Sequence, residues 1–439
     1  MSVLDARADL TALAAEAERR YVGRNPESRC LHEERARVMP GGNTRTVIHV
    51  PPFPLTIVRG EGARLTDADG HVVVDLLGEF TAGLYGHSHP LIREAIRDAL
   101  DDGWVLGAPN RYETALAAAV CERFPSIELV RFCNSGTEAN LYALSLARAV
   151  TGKQGVLVFE GAYHGGAFYF VSAAGSPINV PFPYVVASYN DADAAASLVA
   201  EHAHELAAVL VEPMQGSAGA IAGEPAFLRA LRDATAEHDV LLVFDEVMTS
   251  RLSTGGLQSV LGITPDLTTL GKYLGGGLAT GAFGGRADLM GRFDPSRPDA
   301  LPHAGTFNNA VLTMAAGVAG LTRVYTAAEI ERLNALGDRL RDRLNAFAAR
   351  EDVPFIVTGV GSLVGLHFAR GTVRRIGDAA DVPELRALMH LELLERGWSY
   401  ARRGFIALSL PFGEAEVDGF AAAVEDFLGR HATLVRGVV

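Results

Sequence analysis

Cysteine is scarce in this chain. Cys30, Cys121 and Cys133 are the three in 439 residues, and no two of them share a CxxC spacing. An odd thiol count in so long a chain argues against a disulfide framework and predicts reduced thiols in a cytoplasmic protein. Long apolar runs are missing too: none approaches the roughly 20 residues that span a bilayer. The N-terminal stretch MSVLDARADLTALAAEAERR disperses acids and arginines at helical spacing, without the apolar core of a signal peptide. Basic excess is absent, with 39 Lys plus Arg against 52 Asp plus Glu and a formal charge of -13, which argues against nucleic-acid or anionic-membrane partners. There is no internal repeat and no G-x-S-x-G elbow. Lys272 is followed by Tyr273 rather than Ser or Thr, so a Walker phosphate loop fails, and Gly359-Val360-Gly361 lacks the third glycine of a dinucleotide fingerprint. His87 and His89 have no further ligand cluster beside them, so no metal site is expected.

What is present centres on the stretch from Leu241 to Gly285. Val240-Leu241-Leu242-Val243-Phe244 has the length and character of a strand buried on both faces, and it ends on two acids, Asp245 and Glu246. Carboxylates at the end of a core strand are costly to bury without a partner, so one of them should face a cation in a cleft. One short element later Leu267-Thr268-Thr269-Leu270 leads to Gly271-Lys272 and then Gly275-Gly276-Gly277. A lysine held between apolar residues and glycines loses the solvent that stabilises its ammonium; its pKa falls and the amine becomes a nucleophile. This pairing suits pyridoxal phosphate, with the lysine holding the aldehyde as a Schiff base and the acid keeping the pyridine nitrogen protonated. For the lysine alone, a solvated loop position is the ordinary reading.

The hydrophobic content of 49% supports a large core and two domains. Helix is predicted from about Asp5 to Val38 with a break at Asn25-Pro26, followed by a meander of short strands at Leu55 to Val58, Arg64 to Thr66 and Val72 to Leu76. A regular alternation follows, with strands at Leu129 to Cys133, Val156 to Phe159, Tyr184 to Val186 and Ala208 to Val211 and helices between them. Such a rhythm implies a mostly parallel sheet whose ligands lie beyond the carboxyl ends of the strands. Long helices are predicted through about Val324 and from Ala328 to Arg350. The tail from about Val353 reads as a separate α+β unit.

Several motifs fall at those strand ends. Ser135-Gly136-Thr137 follows a strand and opens a helix, where N–H groups and hydroxyls can hold a phosphate, although Ser and Thr are also common caps. Tyr163 in Tyr163-His164-Gly165-Gly166 could stack on a planar cofactor or merely pack. Glu212 in Val211-Glu212-Pro213 is a third acid at a strand end, structural or hydrogen-bonding. Arg45, ending Pro40-Gly41-Gly42-Asn43-Thr44-Arg45, could serve a ligand or a surface ion pair. Phe53, Tyr85 and the loop around Ala162 are candidate pocket walls.

Together the motifs NSGTEAN, AYHGG, VEP, VFDEV, LGKYLGGG and GTFNN resemble, in order and approximate spacing over nearly the whole chain, the class III aminotransferases. These are fold-type I enzymes that include ω-amino-acid transaminases and glutamate-1-semialdehyde 2,1-aminomutase. The resemblance implies a large domain with a mostly parallel seven-stranded sheet flanked by helices, over 76–324. It also implies a smaller α+β domain built from 1–75 and 325–439. It implies Lys272 as the Schiff-base lysine, Asp245 as the partner of the pyridine nitrogen, and Tyr163 and Val247 on the two faces of the ring. Ser135, Gly136 and Thr137 would hold the phosphate, with Glu212 among the cofactor-binding residues. Thr306 would reach the phosphate of a neighbouring subunit, which implies a homodimer with shared sites.

The aminomutase branch carries an NSPVR-like loop where this chain has Asn43-Thr44-Arg45-Thr46-Val47. The segments PGGNTRTV, PFPLTIVRGEGARL, EPMQGSAG, FDEVMTSRL and RRGFIALSLP instead resemble the aromatic, β-phenylalanine-type β-amino-acid aminotransferases. In that group one arginine of the N-terminal loop and one near the C-terminal strand bind the carboxylates of the amino donor and the keto acid acceptor. The matching positions are Arg45 and Arg403, and Arg402 is an additional arginine without an assigned role. Planar, bidentate cations suit a site that takes a monocarboxylate and a dicarboxylate in turn.

Overall fold

The computed structural model describes residues 3–172 and 174–439. The expected N-terminal helix is Val3–Arg24 and Pro26–Ala36, broken at Asn25, whose following proline suits a helix start. The meander is three antiparallel strands, β1 (Ile57–Glu61), β2 (Arg64–Asp67) and β3 (Val72–Asp75).

The large sheet comprises β4 (Leu129–Cys133), β5 (Gly155–Phe159), β6 (Tyr184–Ala187), β7 (Leu206–Val211), β8 (Leu241–Asp245), β9 (Leu267–Gly271) and β10 (Gly281–Gly285). Its order is β4-β10-β9-β8-β7-β5-β6. Pairings from β9 through to β6 are parallel, and β10 runs antiparallel to both of its neighbours. Every residue of β5 and β7 is buried, because helices cover both faces. Val156 and Val158 pack toward the helix Gly136–Thr151, while Leu157 and Phe159 pack toward Ala192–Glu201 and Pro225–Glu237, the period-two alternation of a strand.

Strand β10 was not legible as a strand. Its sequence Gly-Ala-Phe-Gly-Gly has low strand propensity. The glycines answer a spatial demand: a Cβ on Gly281 would lie 2.9 Å from Cys133 Sγ and collide with the Ser135 carbonyl, and one on Gly284 would lie 2.6 Å from Ile127.

After the helix Val311–Ala319 the backbone widens into a single π turn, Gly320–Val324, rather than continuing as regular helix. Ala327–Arg350 then lays Leu333, Leu336, Leu340 and Leu344 into a core shared with Phe420 and Val424. The C-terminal part contains β11 (Ile356–Val360), β12 (Leu363–His367), β13 (Trp398–Ser399) and β14 (Phe405–Ala407). β11, β12 and β14 form an antiparallel sheet. β13, too short to read from sequence, pairs in parallel with β3, Trp398 opposite Val74. Among the described residues no single helix is long and apolar enough to cross a membrane.

Candidate active site

The register of the large sheet brings the chemistry to one edge. Asp245 ends β8 opposite Thr269 of β9, so the acid and Lys272, which follows β9 directly, leave the sheet at the same end. Gly271 lies opposite Gly281, and Gly281 opposite Cys133, which puts the Ser135-Gly136-Thr137 helix start beside the lysine turn. Val211 ends β7 just before Glu212, and Phe159 ends β5 shortly before Tyr163.

Asp245 is 5% exposed and fully engaged. Its Oδ2 accepts from Asn140 Nδ2 and lies against His164 Nδ1, each at 2.8 Å, and its Oδ1 accepts the Val247 N–H at 3.0 Å. Asn140 also donates to the His164 carbonyl and accepts from the Thr269 hydroxyl. The carboxylate is thereby fixed in orientation by groups on three elements. Glu246 turns away from this cleft and accepts from Leu257 N–H, Gln258 N–H and the Thr249 hydroxyl; of the two adjacent acids it is the structural one.

Lys272 has φ +57, a left-handed conformation unfavourable for a side-chain-bearing residue, and it follows a glycine whose Cβ would lie 3.5 Å from Val247. Burial pushes its amine below the ordinary lysine range; the carboxylates of Glu79 and Asp245 act in the opposite direction, and the guanidinium groups of Arg45 and Arg403 reinforce the fall. Two carboxylates and two guanidinium groups thus act on the amine with opposite sign.

Ser135 caps the helix Gly136–Thr151 by accepting the Glu138 N–H, and Thr137 Oγ1 accepts the Gly166 N–H at 3.2 Å. The N–H groups of Gly136 and Thr137 have no acceptor among the described residues. A Cβ on Gly136 would press within 3.0 Å of Val247, so glycine keeps that cradle open. Tyr163 is 42% exposed and meets Tyr169 edge-on at 5.5 Å. Its N–H donates to Glu212 Oε2, and Glu212 Oε1 accepts the Gly216 N–H. Burial and the Asp245 charge push Glu212 up to about 7, against the opposing influence of His164.

Arg45 pairs with Glu79, and its guanidinium sits 6.0 Å from the centre of the Phe80 ring. Arg403 lies 5.2 Å over the same ring. A cavity of about 950 Å³ reaches Glu79 and Arg403 and is walled by Val47, Leu55, Phe80, Tyr85 and Ile92; Arg45 and Lys272 are not among its lining residues. Of the candidate wall residues, Tyr85 lines this cavity, whereas Phe53 is buried against Tyr21 and Ala162 is buried in a short hairpin. Arg402 donates to the Pro51 carbonyl. Thr306 is exposed on the turn Gly305–Asn309, away from any hydrogen bond to these groups among the described residues. Glu79, Asn140, His164 and Phe80 were not singled out from sequence. The first lies between glycines in an unremarked loop, and the others act through neighbours that only folding supplies.

This arrangement, a fixed buried acid and a desolvated lysine at the carboxyl edge of a seven-stranded α/β sheet beside an open helix start, defines a fold-type I pyridoxal phosphate enzyme. The chain belongs to the class III aminotransferases: the family model described as aminotransferase class III matches residues 47–385. It is 52% identical over 422 residues to a β-phenylalanine transaminase of Variovorax paradoxus, covering 96% of this chain and 97% of that one. A crystal structure of a β-phenylalanine aminotransferase from the same organism superimposes with a TM-score of 0.95 at 51% identity, covering 97% and 99% of the two chains. A glutamate-1-semialdehyde 2,1-aminomutase of Sorangium cellulosum is 38% identical, covering 92% of this chain and 97% of that one. Pyridoxal 5′-phosphate is the cofactor of the class. The groups present fit it: unclaimed N–H donors for a phosphate, a fixed carboxylate for a ring nitrogen, and a desolvated amine for an aldehyde.

Proposed function

We propose that this transaminase takes its amino group from a β-amino acid of the β-phenylalanine type and passes it to 2-oxoglutarate or pyruvate. The observation that carries the reading is the pair of arginines, Arg45 and Arg403, set over one phenylalanine ring beside an apolar cavity and the Lys272 amine. The likeness to the Variovorax enzymes supports it. Apolar walls suit an aromatic side chain, and the arginines suit carboxylates.

In this reading Ser135, Gly136 and Thr137 hold the cofactor phosphate, Tyr163 and Val247 flank its ring, Glu212 braces the Tyr163 loop, and Asp245 faces the ring nitrogen. When bound, pyridoxal phosphate supplies an electron sink for the pair released at the carbon bearing nitrogen. Lys272 Nζ, whose ammonium form burial disfavours, removes the proton from that carbon and returns it on the other side of the reaction. Asp245, immobilised by Asn140 and His164, holds a proton at the ring nitrogen. Arg45 and Arg403 orient donor and acceptor in turn.

We further propose a cytoplasmic homodimer in which Thr306 completes the partner's phosphate site. Trp104, Val105, Leu106 and Phe307 are exposed, and their two loops are held together by hydrogen bonds from Asn110 to the Asn309 carbonyl and from Asn309 to the Ala108 carbonyl; exposed apolar side chains of this kind suit a subunit interface. The pairing of Trp398 with Val74 supports grouping 1–75 with 325–439 around a cofactor domain of 76–324.

The test is to add (S)- and (R)-3-amino-3-phenylpropanoate separately to the holoenzyme without acceptor and follow the cofactor's visible absorbance. A change with one enantiomer, reversed by a keto acid, is the expected result. No change with either, alongside a response to glutamate 1-semialdehyde, would make the protein an aminomutase instead. Arg403→Ala should raise the KM for the keto acid more than it alters cofactor binding.

A further inference from the structure

Gly78, Glu79, Phe80 and Thr81 have φ values of +52, +48, +52 and +83, a left-handed turn in which three of four residues carry a side chain. No other run of positive φ among the described residues exceeds two. Such a turn persists only where its surroundings over-determine it. Asp75 Oδ1 accepts the N–H groups of Leu77 and Gly78, the Gly83 N–H closes on the Gly78 carbonyl, and the Phe80 ring is buried with Leu252, Leu363 and Phe405.

The turn delivers the Glu79 carboxylate to Arg45 and the Phe80 ring to both guanidinium groups. It makes the two arginines unequal. Arg45 has a resident carboxylate. Arg403 pairs with none among the described residues, and its buried Nε has no acceptor. A bound carboxylate therefore meets an open cation at Arg403 and an occupied one at Arg45.

We propose that Glu79 is a specificity-determining residue, the resident counter-anion of Arg45, which a substrate carboxylate must displace to engage that guanidinium. This rests on the reading of Arg45 and Arg403 as carboxylate binders. A monocarboxylate docks on Arg403 and leaves the Arg45–Glu79 pair intact. A dicarboxylate reaches its second cation only by breaking that pair, so with 2-oxoglutarate as acceptor the turn discriminates between the two substrates of one cycle. Phe80, buried and within reach of both cations, stays in place while Glu79 leaves.

The experiment compares two unreactive inhibitors of the holoenzyme, 3-phenylpropanoate with one carboxylate and glutarate with two. Glu79→Gln keeps the size and hydrogen-bonding reach of the side chain and removes its charge. It is expected to tighten glutarate about tenfold while leaving 3-phenylpropanoate within about twofold. Glu79→Asp, which retains the charge and tolerates a left-handed conformation, should bind glutarate like the natural protein. The glutarate gain should vanish when Arg45→Ala is added to Glu79→Gln. An unchanged glutarate constant in Glu79→Gln, or a gain that survives Arg45→Ala, overturns the proposal. If Arg45→Ala and Arg403→Ala alone move neither inhibitor, it is the arginine reading itself that fails.

An independent readout comes from the cofactor's visible absorbance against pH. Glu79 and Asp245 favour a protonated nitrogen at Lys272, while Arg45 and Arg403 disfavour it, so Glu79→Gln should move that titration to lower pH. A turn that merely braced the loop would leave it unchanged.

Discussion

Asp245 Oδ2 and His164 Nδ1 lie 2.8 Å apart, and neither side chain is more than 5% exposed. The contact joins the end of β8 to the loop that carries Tyr163, so the acid proposed for the ring nitrogen and the aromatic proposed for the ring face are set by one hydrogen bond. Asn140 closes the same loop from the opposite helix. Asn140→Ala removes a charge-assisted bond and frees the carboxylate to rotate; kcat should fall about tenfold, ~1.4 kcal/mol, with KM for the donor little changed. Steady-state kinetics on the holoenzyme check the split between the two constants.

The chain has two lysines, Lys153 and Lys272. Lysine labelled with carbon-13 at Cε therefore gives two resonances, assigned by Lys272→Ala. In the cofactor-free protein the Lys272 signal should titrate below 10.5, the ordinary lysine value, because burial disfavours its ammonium. Lys272→Ala itself should abolish turnover. A Lys272 titration at or above the ordinary value would remove the basis for its role in moving a proton.

Glu212 supplies a pH test in the cofactor-free protein. Its folded pKa is raised from 4.5 to about 7, so its contribution to stability is fully present below 4.5 and lost as pH rises through about 7. Glu212→Gln does not titrate. The melting temperature of the variant minus that of the natural protein should therefore grow between about pH 5 and about pH 8. A difference independent of pH in that window would mean that the carboxyl is not desolvated.

Gly136→Ala places a methyl group 3.0 Å from Val247 and displaces the first turn, whose N–H groups are proposed to hold the cofactor phosphate. Cofactor affinity should weaken about tenfold, ~1.4 kcal/mol. Equilibrium dialysis of pyridoxal phosphate measures it. Secondary structure followed by circular dichroism should be unchanged.

The parts of the fold that were legible were those where one strand or helix carries its own pattern. β5 and β7 are apolar throughout, and β8 up to its terminal Asp245, because both of their faces are covered, and the helix Ala327–Arg350 shows its buried leucine stripe. β10 was hidden because glycine is dictated there by the neighbours' backbones rather than by strand propensity, and β13 because two residues have no periodicity. The same division holds in the site. Lys272, Asp245 and Ser135 stand at the ends of recognisable elements. Glu79 owes its place to a left-handed turn, and His164 to a contact spanning 81 residues.

The pairing of β3 with β13 has a consequence for how the chain is made. Val74 finds its strand partner at Trp398, and Leu76 its backbone donor at Ala407. During synthesis the segment that bears Glu79 must wait for more than three-quarters of the protein to leave the ribosome before its sheet can be completed. The large sheet, whose strands all lie between 129 and 285, can assemble first. The nascent enzyme would thus acquire its lysine and acid before the turn that arms Arg45, and emerge able to hold a cofactor before it can choose a substrate.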